Sequence, residues 1–194
     1  MHFVKRGFSI FGASANAYSL PVNCANNSGI MTTPTYGTTG AVFTVCAQDF
    51  INGSPSTVYN VILDFLRYPA WNEFVYYLDL PANVSSAADV YVGMPMTLHT
   101  SGLIPGLNTT SDERITYLEP DSNPPWIGWR YDPGAIGGLL MQAEHDLGNG
   151  STKYVSWETY YGAGAAGLQL LLGNNLQADF ELQGTNLKQR VESL

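Results

Sequence analysis

Residues 153–180, KYVSWETYYGAGAAGLQLLLGNNLQADF, decide the fold because the spacing of their apolar side chains changes once within the stretch. Up to Tyr161, aromatic and polar residues alternate over part of the stretch, as they do in a β-strand. After the glycine-rich run 162–167, four apolar residues recur at the four-residue spacing of one helix face. They are Leu168, Leu172, Leu176 and Phe180, and Leu187 and Val191 continue the stripe. The stretch therefore predicts a strand followed by a long terminal helix.

Upstream of this stretch the pattern indicates one helix among short strands. Phe43–Ile51 predicts the first strand, and Ser54-Pro55 predicts the N-cap and first residue of a helix. Six further strands are predicted at Glu73–Leu80, Met94–Thr100, Glu113–Leu118, Trp126–Tyr131, Leu140–Leu147 and Lys153–Tyr161. Strands that follow one another without intervening helices form an antiparallel meander. We therefore expect an α+β fold, in which a curved antiparallel sheet of about seven strands wraps around the terminal helix and leaves a hydrophobic cavity.

Composition restricts the partners of the chain. It has 194 residues, a net charge of −8, 45% hydrophobic residues and only 12% charged residues. Eight Lys and Arg side chains cannot form the basic surface that a phosphate backbone requires, so nucleic acid is excluded as the expected partner. No apolar run approaches the roughly 20 residues of a membrane span, so no integral membrane segment is expected. The oligomeric state stays open.

The first forty residues differ from the rest of the chain in composition. Residues 1–48 contain no acidic side chain, and residues 1–40 are predicted to be an N-terminal extension, either mobile or a targeting segment. Residues 41–194 are predicted to form the ligand-binding domain. Cys24 and Cys46 are too few for a disulfide framework, and a free buried thiol is favoured for Cys46 in its strand. A cytoplasmic location is favoured, with secretion or a mitochondrial address as alternatives.

The chain from Phe43 to Leu194 resembles the START-like, or SRPBCC, superfamily, especially its polyketide cyclase/dehydrase and coenzyme-Q-binding branch. The motifs that carry the resemblance are INGSPSTV (51–58), LDFLRYPAWNEF (63–74), Glu144-His145 before a glycine turn, WETYYG (157–162) and NLKQRVE (186–192). The resemblance implies a helix-grip fold that encloses a hydrophobic ligand cavity. It does not decide between carriers and enzymes, because one fold serves many functions.

The last two predicted strands contain the candidate catalytic residues. Pairing of Leu147 with Thr152 across the turn would place residue 145 opposite residue 154. His145, Glu158 and Tyr160 then share the face that we expect to line the cavity. A carboxylate beside an imidazole raises its basicity, so His145 and Glu158 could remove a proton next to a carbonyl while Tyr160 donates to the enolate. The alternative is a purely structural pair in which each residue satisfies the other.

Aromatic and apolar residues on the inward faces are the candidate ligand contacts. They are Trp71, Phe74, Trp129, Met141, Tyr154, Ser156, Leu172, Leu176 and Phe180. The strand period leaves open whether Trp126 or Trp129 points inward. The expected function is binding of a small hydrophobic molecule of aromatic, polyketide-like or lipid-like character, with a cyclase or dehydratase as the alternative.

Cofactors and metals are not expected. Gly162-Ala-Gly-Ala-Ala-Gly167 matches the glycine pattern of dinucleotide-binding loops. A dinucleotide fold needs further parallel strands after the helix, and the predicted order does not provide them. The glycines are instead interpreted as a flexible entry to the terminal helix. Glu144, His145 and Asp146 alternate across a strand, so they cannot point together at a metal ion.

Overall fold

The computed structural model describes residues 23–24, 29–131, 138–146 and 150–194, with 138–146 described as backbone only. Within these ranges the strands are β1 (Ala41–Ile51), β2 (Val75–Asp79), β3 (Pro95–Ile104), β4 (Leu107–Glu119), β5 (Trp126–Tyr131), β6 (Gly138–Asp146) and β7 (Thr152–Tyr161). The helices are α1 (Pro55–Leu63) and α2 (Ala163–Glu192), with 3-10 turns at Phe65–Ala70 and Ala87–Asp89. The element order is the predicted one.

The described strands form one antiparallel sheet in the order β1-β7-β6-β5-β4-β3-β2. Helix α2 packs against the concave side of this sheet, and its buried residues include Leu176, Phe180, Leu187 and Val191. The predicted α+β helix-grip architecture is confirmed. Most predicted boundaries shift by one or two residues, and two regions differ more. The β3–β4 hairpin is longer than predicted, and α2 begins at Ala163, so the glycines at 164 and 167 lie inside the helix rather than forming a flexible entry.

Helix α1 begins as its sequence predicts. The Ser54 hydroxyl accepts a hydrogen bond from the Thr57 amide at 3.1 Å, and Pro55 occupies the first helical position. The apolar residues at the spacing of one helix face, which are Val58, Val61, Ile62 and Phe65, are buried. This face anchors the segment that leads to β2 and the cavity.

Helix α2 also covers the free edge of the sheet at β1. The Gln177 side chain accepts from the Cys46 amide at 3.0 Å and donates to the Cys46 carbonyl at 2.8 Å, as a neighbouring strand would. Further along, Lys188 donates to the Phe50 carbonyl. Gly184 lets the helix come this close, since a Cβ atom there would lie 2.7 Å from the Asp49 carboxylate. Edge strands that are covered in this way do not pair with other chains.

The segment before β1 packs on the convex side of the sheet. A disulfide joins Cys24 to Cys46, so the free thiol favoured for Cys46 is a wrong prediction. The sequence could not show the bridge, because the two cysteines meet only where residues 23–24 pack against β1 in the folded chain. Residues 31–37 also contact β7. The extension and the 41–194 domain limits remain predictions, and residues 1–22 and 25–28 lie outside the described part of the chain.

Candidate ligand-binding site

A cavity of about 240 Å³ lies between the concave side of the sheet and α2. Its lining is Phe74, Val75, Leu98, Thr100, Leu103, Thr109, Thr110, Ser111, Glu113, Trp129, Tyr131, Glu158, Tyr160, Leu168, Leu176, Phe180 and Gln183. Thr110 is exposed and Leu103 and Leu168 are half-buried, so the outer end of the cavity lies between the β3–β4 hairpin and the first half of α2. Ligand pockets typically combine such apolar walls with a few polar groups.

Asn72 positions one aromatic wall of the cavity. Its side-chain oxygen accepts hydrogen bonds from the amides of Phe74 at 3.1 Å and Val75 at 2.9 Å, where the chain turns into β2. Asn186 of α2 makes two bonds to Glu73, one to its amide and one to its carboxylate, both of 3.0 Å. These contacts hold Phe74 beside Phe180, with ring centroids 6.3 Å apart.

Trp129 and Tyr160 form the walls on the sheet side. The Trp129 indole meets Phe65 edge to face at 5.8 Å, and it is only 2% exposed. Tyr160 stacks on Phe43 with ring centroids 4.4 Å apart. The choice left open by the strand period is therefore decided: Trp129 points inward, while Trp126 packs against Trp157 on the convex side. These ring contacts hold Trp129 and Tyr160 in place.

Glu158 and Tyr160 are the polar centre of the cavity. The Tyr160 hydroxyl donates to Glu158 Oε2 at 2.5 Å. Removal from bulk water raises the pKa of Glu158 to about 7, although the Tyr160 hydrogen bond acts in the opposite direction. Burial likewise raises the pKa of Tyr160 well above 10. Near neutral pH the carboxyl is thus divided between its protonated and charged forms, and it can either donate or accept a hydrogen bond.

The structure changes the predicted partner of Glu158. Asp146, rather than Leu147, pairs with Thr152, and a bulge between Glu144 and Asp146 shifts the register again. The expected pairing of residue 145 with residue 154 is therefore wrong, because Ala143 lies opposite Tyr154. Together the two one-residue shifts displace β6 by two residues relative to β7. Because the displacement is an even number, the same residues still share a face.

In the observed register Glu158 lies opposite Leu139, and His145 is six residues further along β6, which corresponds to about 20 Å of extended chain. The predicted register had placed the two residues four positions apart, since 145 opposite 154 puts 158 opposite 141. Tyr160 is the described hydrogen-bond partner of Glu158, and the catalytic roles of His145, Glu158 and Tyr160 remain predictions. The side chains of His145 and Met141 lie outside the described residues.

The other predicted contacts divide into two groups. Phe74, Trp129, Leu176 and Phe180 line the cavity together with Glu158 and Tyr160. Trp71, Tyr154, Ser156 and Leu172 are absent from its lining. Tyr154 lies beside Gly184 under α2, Ser156 is buried in β7, Leu172 packs on the core, and Trp71 packs edge to face against Tyr68 at 4.8 Å. Their predicted roles as ligand contacts therefore lack support from the position of the cavity.

Sequence reasoning missed Glu113 and Gln183. Both are buried and both line the cavity. The strand period was a usable signal for the first, since Glu113 shares a face with the buried Ile115. For Gln183 the signal was its position three residues after Phe180 on the inward face of α2. Both positions are therefore readable from the sequence as inward-facing polar side chains.

No group of three or more His, Cys, Asp or Glu side chains that could hold a metal ion occurs in the described ranges. Among the helices described, none has the length and apolarity that crossing a bilayer requires.

The chain shares its architecture with solved structures of low sequence identity. It is similar to a START superfamily protein of Mycobacterium smegmatis, with 18% identity and a TM-score of 0.56, over 77% of this chain and 97% of the other. The Zhui aromatase/cyclase of Streptomyces sp. R1128 has 14% identity and a TM-score of 0.59 over 77% and 93%. Ara h 8.0201 has 12% identity and a TM-score of 0.51 over 78% and 98%.

At the level of sequence, no protein-family model and no curated protein matches the chain. Sequence identities below one fifth with a shared topology are evidence of fold and not of activity. The structural agreement extends over 77–78% of this chain and 93–98% of the three neighbours. The protein therefore has the START-like, or SRPBCC, helix-grip fold.

Proposed function

We propose that this protein binds a small aromatic, polyketide-like molecule in the cavity between the sheet and α2. The observation that carries the proposal is the aromatic wall. Five rings line the cavity, and they belong to Phe74, Trp129, Tyr131, Tyr160 and Phe180. Aromatic rings pack favourably against one another in offset or edge-to-face geometry. A flat ring system therefore suits these walls better than a flexible acyl chain.

The volume also favours a compact ligand. About 240 Å³ lies just below the roughly 300–1,000 Å³ of pockets for drug-sized molecules. A ligand of two or three fused rings matches this space, and a long lipid does not. The rigidity of fused rings also lowers the entropic cost of binding.

A cavity-filling substitution tests the proposal. Leu176 lines the cavity and is 4% exposed, whereas Leu171 on the same helix is 78% exposed. Fluorescence titration with 2-naphthol should show micromolar-range binding to the unmodified protein. We expect Leu176→Trp to weaken this binding at least tenfold, because the indole occupies the ligand's space, and Leu171→Trp to leave it unchanged. Equal affinity in both variants would show that 2-naphthol binds elsewhere.

A cyclase or dehydratase is the second candidate, and the Glu158–Tyr160 pair is the observation that favours it. A carboxyl group with a pKa of about 7 is matched to proton transfer near neutral pH. Under this hypothesis Glu158 would exchange a proton with the substrate, and Tyr160 would hold the carboxyl in place. Glu158→Gln should then abolish turnover of a poly-β-ketone substrate while keeping its binding. A carrier would show no turnover in either form.

A further inference from the structure

The cavity has an unusual charge pattern for a hydrophobic site. The ionisable side chains in its described lining are Glu113, Glu158, Tyr131 and Tyr160, so each one is acidic or phenolic. None of the described lining residues is Lys, Arg or His. In the neighbouring stretch 132–149 the sequence contains neither Lys nor Arg, and the backbone of His145 lies far along β6 from Glu158. The cavity therefore offers no described counter-charge to an anionic ligand.

Glu158 also has hydrogen-bonding capacity that the described residues do not use. Tyr160 donates to its Oε2 atom, and no described residue bonds to Oε1. On β1 the residue paired with Glu158 is Val45, and α2 contributes Gln183 but no titratable group to the lining. A carboxyl oxygen that borders a cavity can be satisfied by a ligand or water inside it. The unused oxygen is thus available to a ligand inside the cavity.

We infer that the cavity selects uncharged ring compounds that carry a carbonyl oxygen, and that it rejects carboxylates of the same shape through Glu158. This inference rests on the proposed function and names the class of ligand. Protonated Glu158 donates from Oε1 to the ligand carbonyl. Charged Glu158 repels a ligand carboxylate, and the low polarity of the surroundings strengthens that repulsion. Burial, which raises the pKa of Glu158, keeps the donating form populated up to neutral pH.

Two probes of matched shape test the inference. The compounds 2-acetylnaphthalene and 2-naphthoate share one ring system and differ in a neutral methyl ketone or a carboxylate. Isothermal titration of the protein at pH 8 should show at least tenfold tighter binding of the ketone. Lowering the pH to 5.5 should reduce this preference, because neutral Glu158 no longer repels naphthoate and can donate to it.

Variants assign the preference to Glu158. Glu158→Gln removes the charge and keeps a donor, so the preference at pH 8 should fall at least threefold. Glu119→Gln makes the same change at an exposed position of β4 that is absent from the lining, and the preference should stay unchanged. If Glu158→Gln does not fold, the pH dependence of the unmodified protein still tests the inference.

The outcomes separate the selectivity from the proposed function. Naphthoate binding as tight as the ketone at pH 8, blocked by Leu176→Trp, would overturn the selectivity and leave the function standing. A preference that persists in Glu158→Gln would overturn the role of Glu158. Failure of both naphthalene probes and of 2-naphthol would contradict the proposed function and, with it, this inference.

Discussion

Both faces of strand β7 are covered, and the two faces differ in what covers them. Every residue of Thr152–Tyr161 is buried except Glu158, which keeps some accessible surface inside the cavity. An antiparallel sheet commonly leaves one face to water. Here the concave face borders the cavity and α2, and the convex face is covered by the segment that precedes β1. The strand therefore carries the binding site on one side and a structural contact on the other.

Three polar side chains on the convex face of β7 donate to backbone carbonyls of the N-terminal segment. Trp157 Nε1 donates to the Thr32 carbonyl at 3.1 Å, and the Thr159 hydroxyl donates to the Met31 carbonyl at 2.7 Å. The Tyr161 hydroxyl donates to the Gly37 carbonyl at 2.7 Å. On the concave face Glu158 Oε2 accepts one hydrogen bond, from Tyr160, while the Tyr154 hydroxyl and Ser156 Oγ have no partner among the described residues. The convex face of β7 is therefore tied to a neighbouring segment, and the concave face is less completely paired.

Removing the central contact of the convex face should have the largest effect on stability. Trp157 is 2% exposed and packs edge to face against Trp126 at 6.0 Å. Trp157→Ala should lower the free energy of unfolding by about 3–5 kcal/mol, measured by urea denaturation. Trp157→Phe, which keeps a ring but loses the hydrogen bond to Thr32, should cost less. Affinity for 2-naphthol should be unchanged in the folded variant. A loss of binding would show that the two faces are coupled.

Removing the disulfide tests how the N-terminal segment is held. The double variant Cys24→Ser and Cys46→Ser opens a loop of sequence separation 22, which should cost roughly 2–4 kcal/mol of unfolding free energy. Reduction of the unmodified protein with a thiol should give the same loss. Ligand affinity provides the control, since the bridge lies on the convex side. A stability unchanged by either treatment would mean that the hydrogen bonds to β7 suffice.

The concave face should show its distinct chemistry as a pH dependence of stability. Burial raises the pKa of Glu158 from 4.5 to about 7, so the folded protein binds this proton more tightly than the unfolded chain does. The stabilisation is fully present below about pH 4.5 and is lost as the pH rises through 7, by up to roughly 3 kcal/mol. Burial of Asp179, which raises its pKa from 3.8 to about 6, acts in the same direction.

Urea denaturation between pH 4.5 and 8 measures this slope. Glu158→Gln should flatten the part above pH 6, and Asp179→Asn should flatten the part below it. Glu119→Gln, at an exposed position of the same protein, should leave the slope unchanged. A steep slope that survives in Glu158→Gln would place the responsible proton elsewhere.

Part of the site was predictable because it depends on local periods. The four-residue spacing of α2 placed Leu176 and Phe180 inward, and the alternation in β7 placed Glu158 and Tyr160 on one face. The partner of Glu158 was not predictable in the same way. A bulge in β6 and the pairing of Asp146 with Thr152 displace β6 by two residues from the predicted register, and neither leaves a clear mark in the pattern of apolar residues.

The sequence alone determined the order of the strands along the chain, the N-cap of α1 and the inward stripe of α2. Each of these depends on residues only a few positions apart. Tertiary structure decided the rest. The Cys24–Cys46 bridge, the covered convex face and the Glu158–Tyr160 centre of the cavity arise where distant segments meet. Trp157 illustrates the difference: the strand period places it on the opposite face from Glu158, and only its contact with residues 31 and 32 explains why an indole on that face is buried.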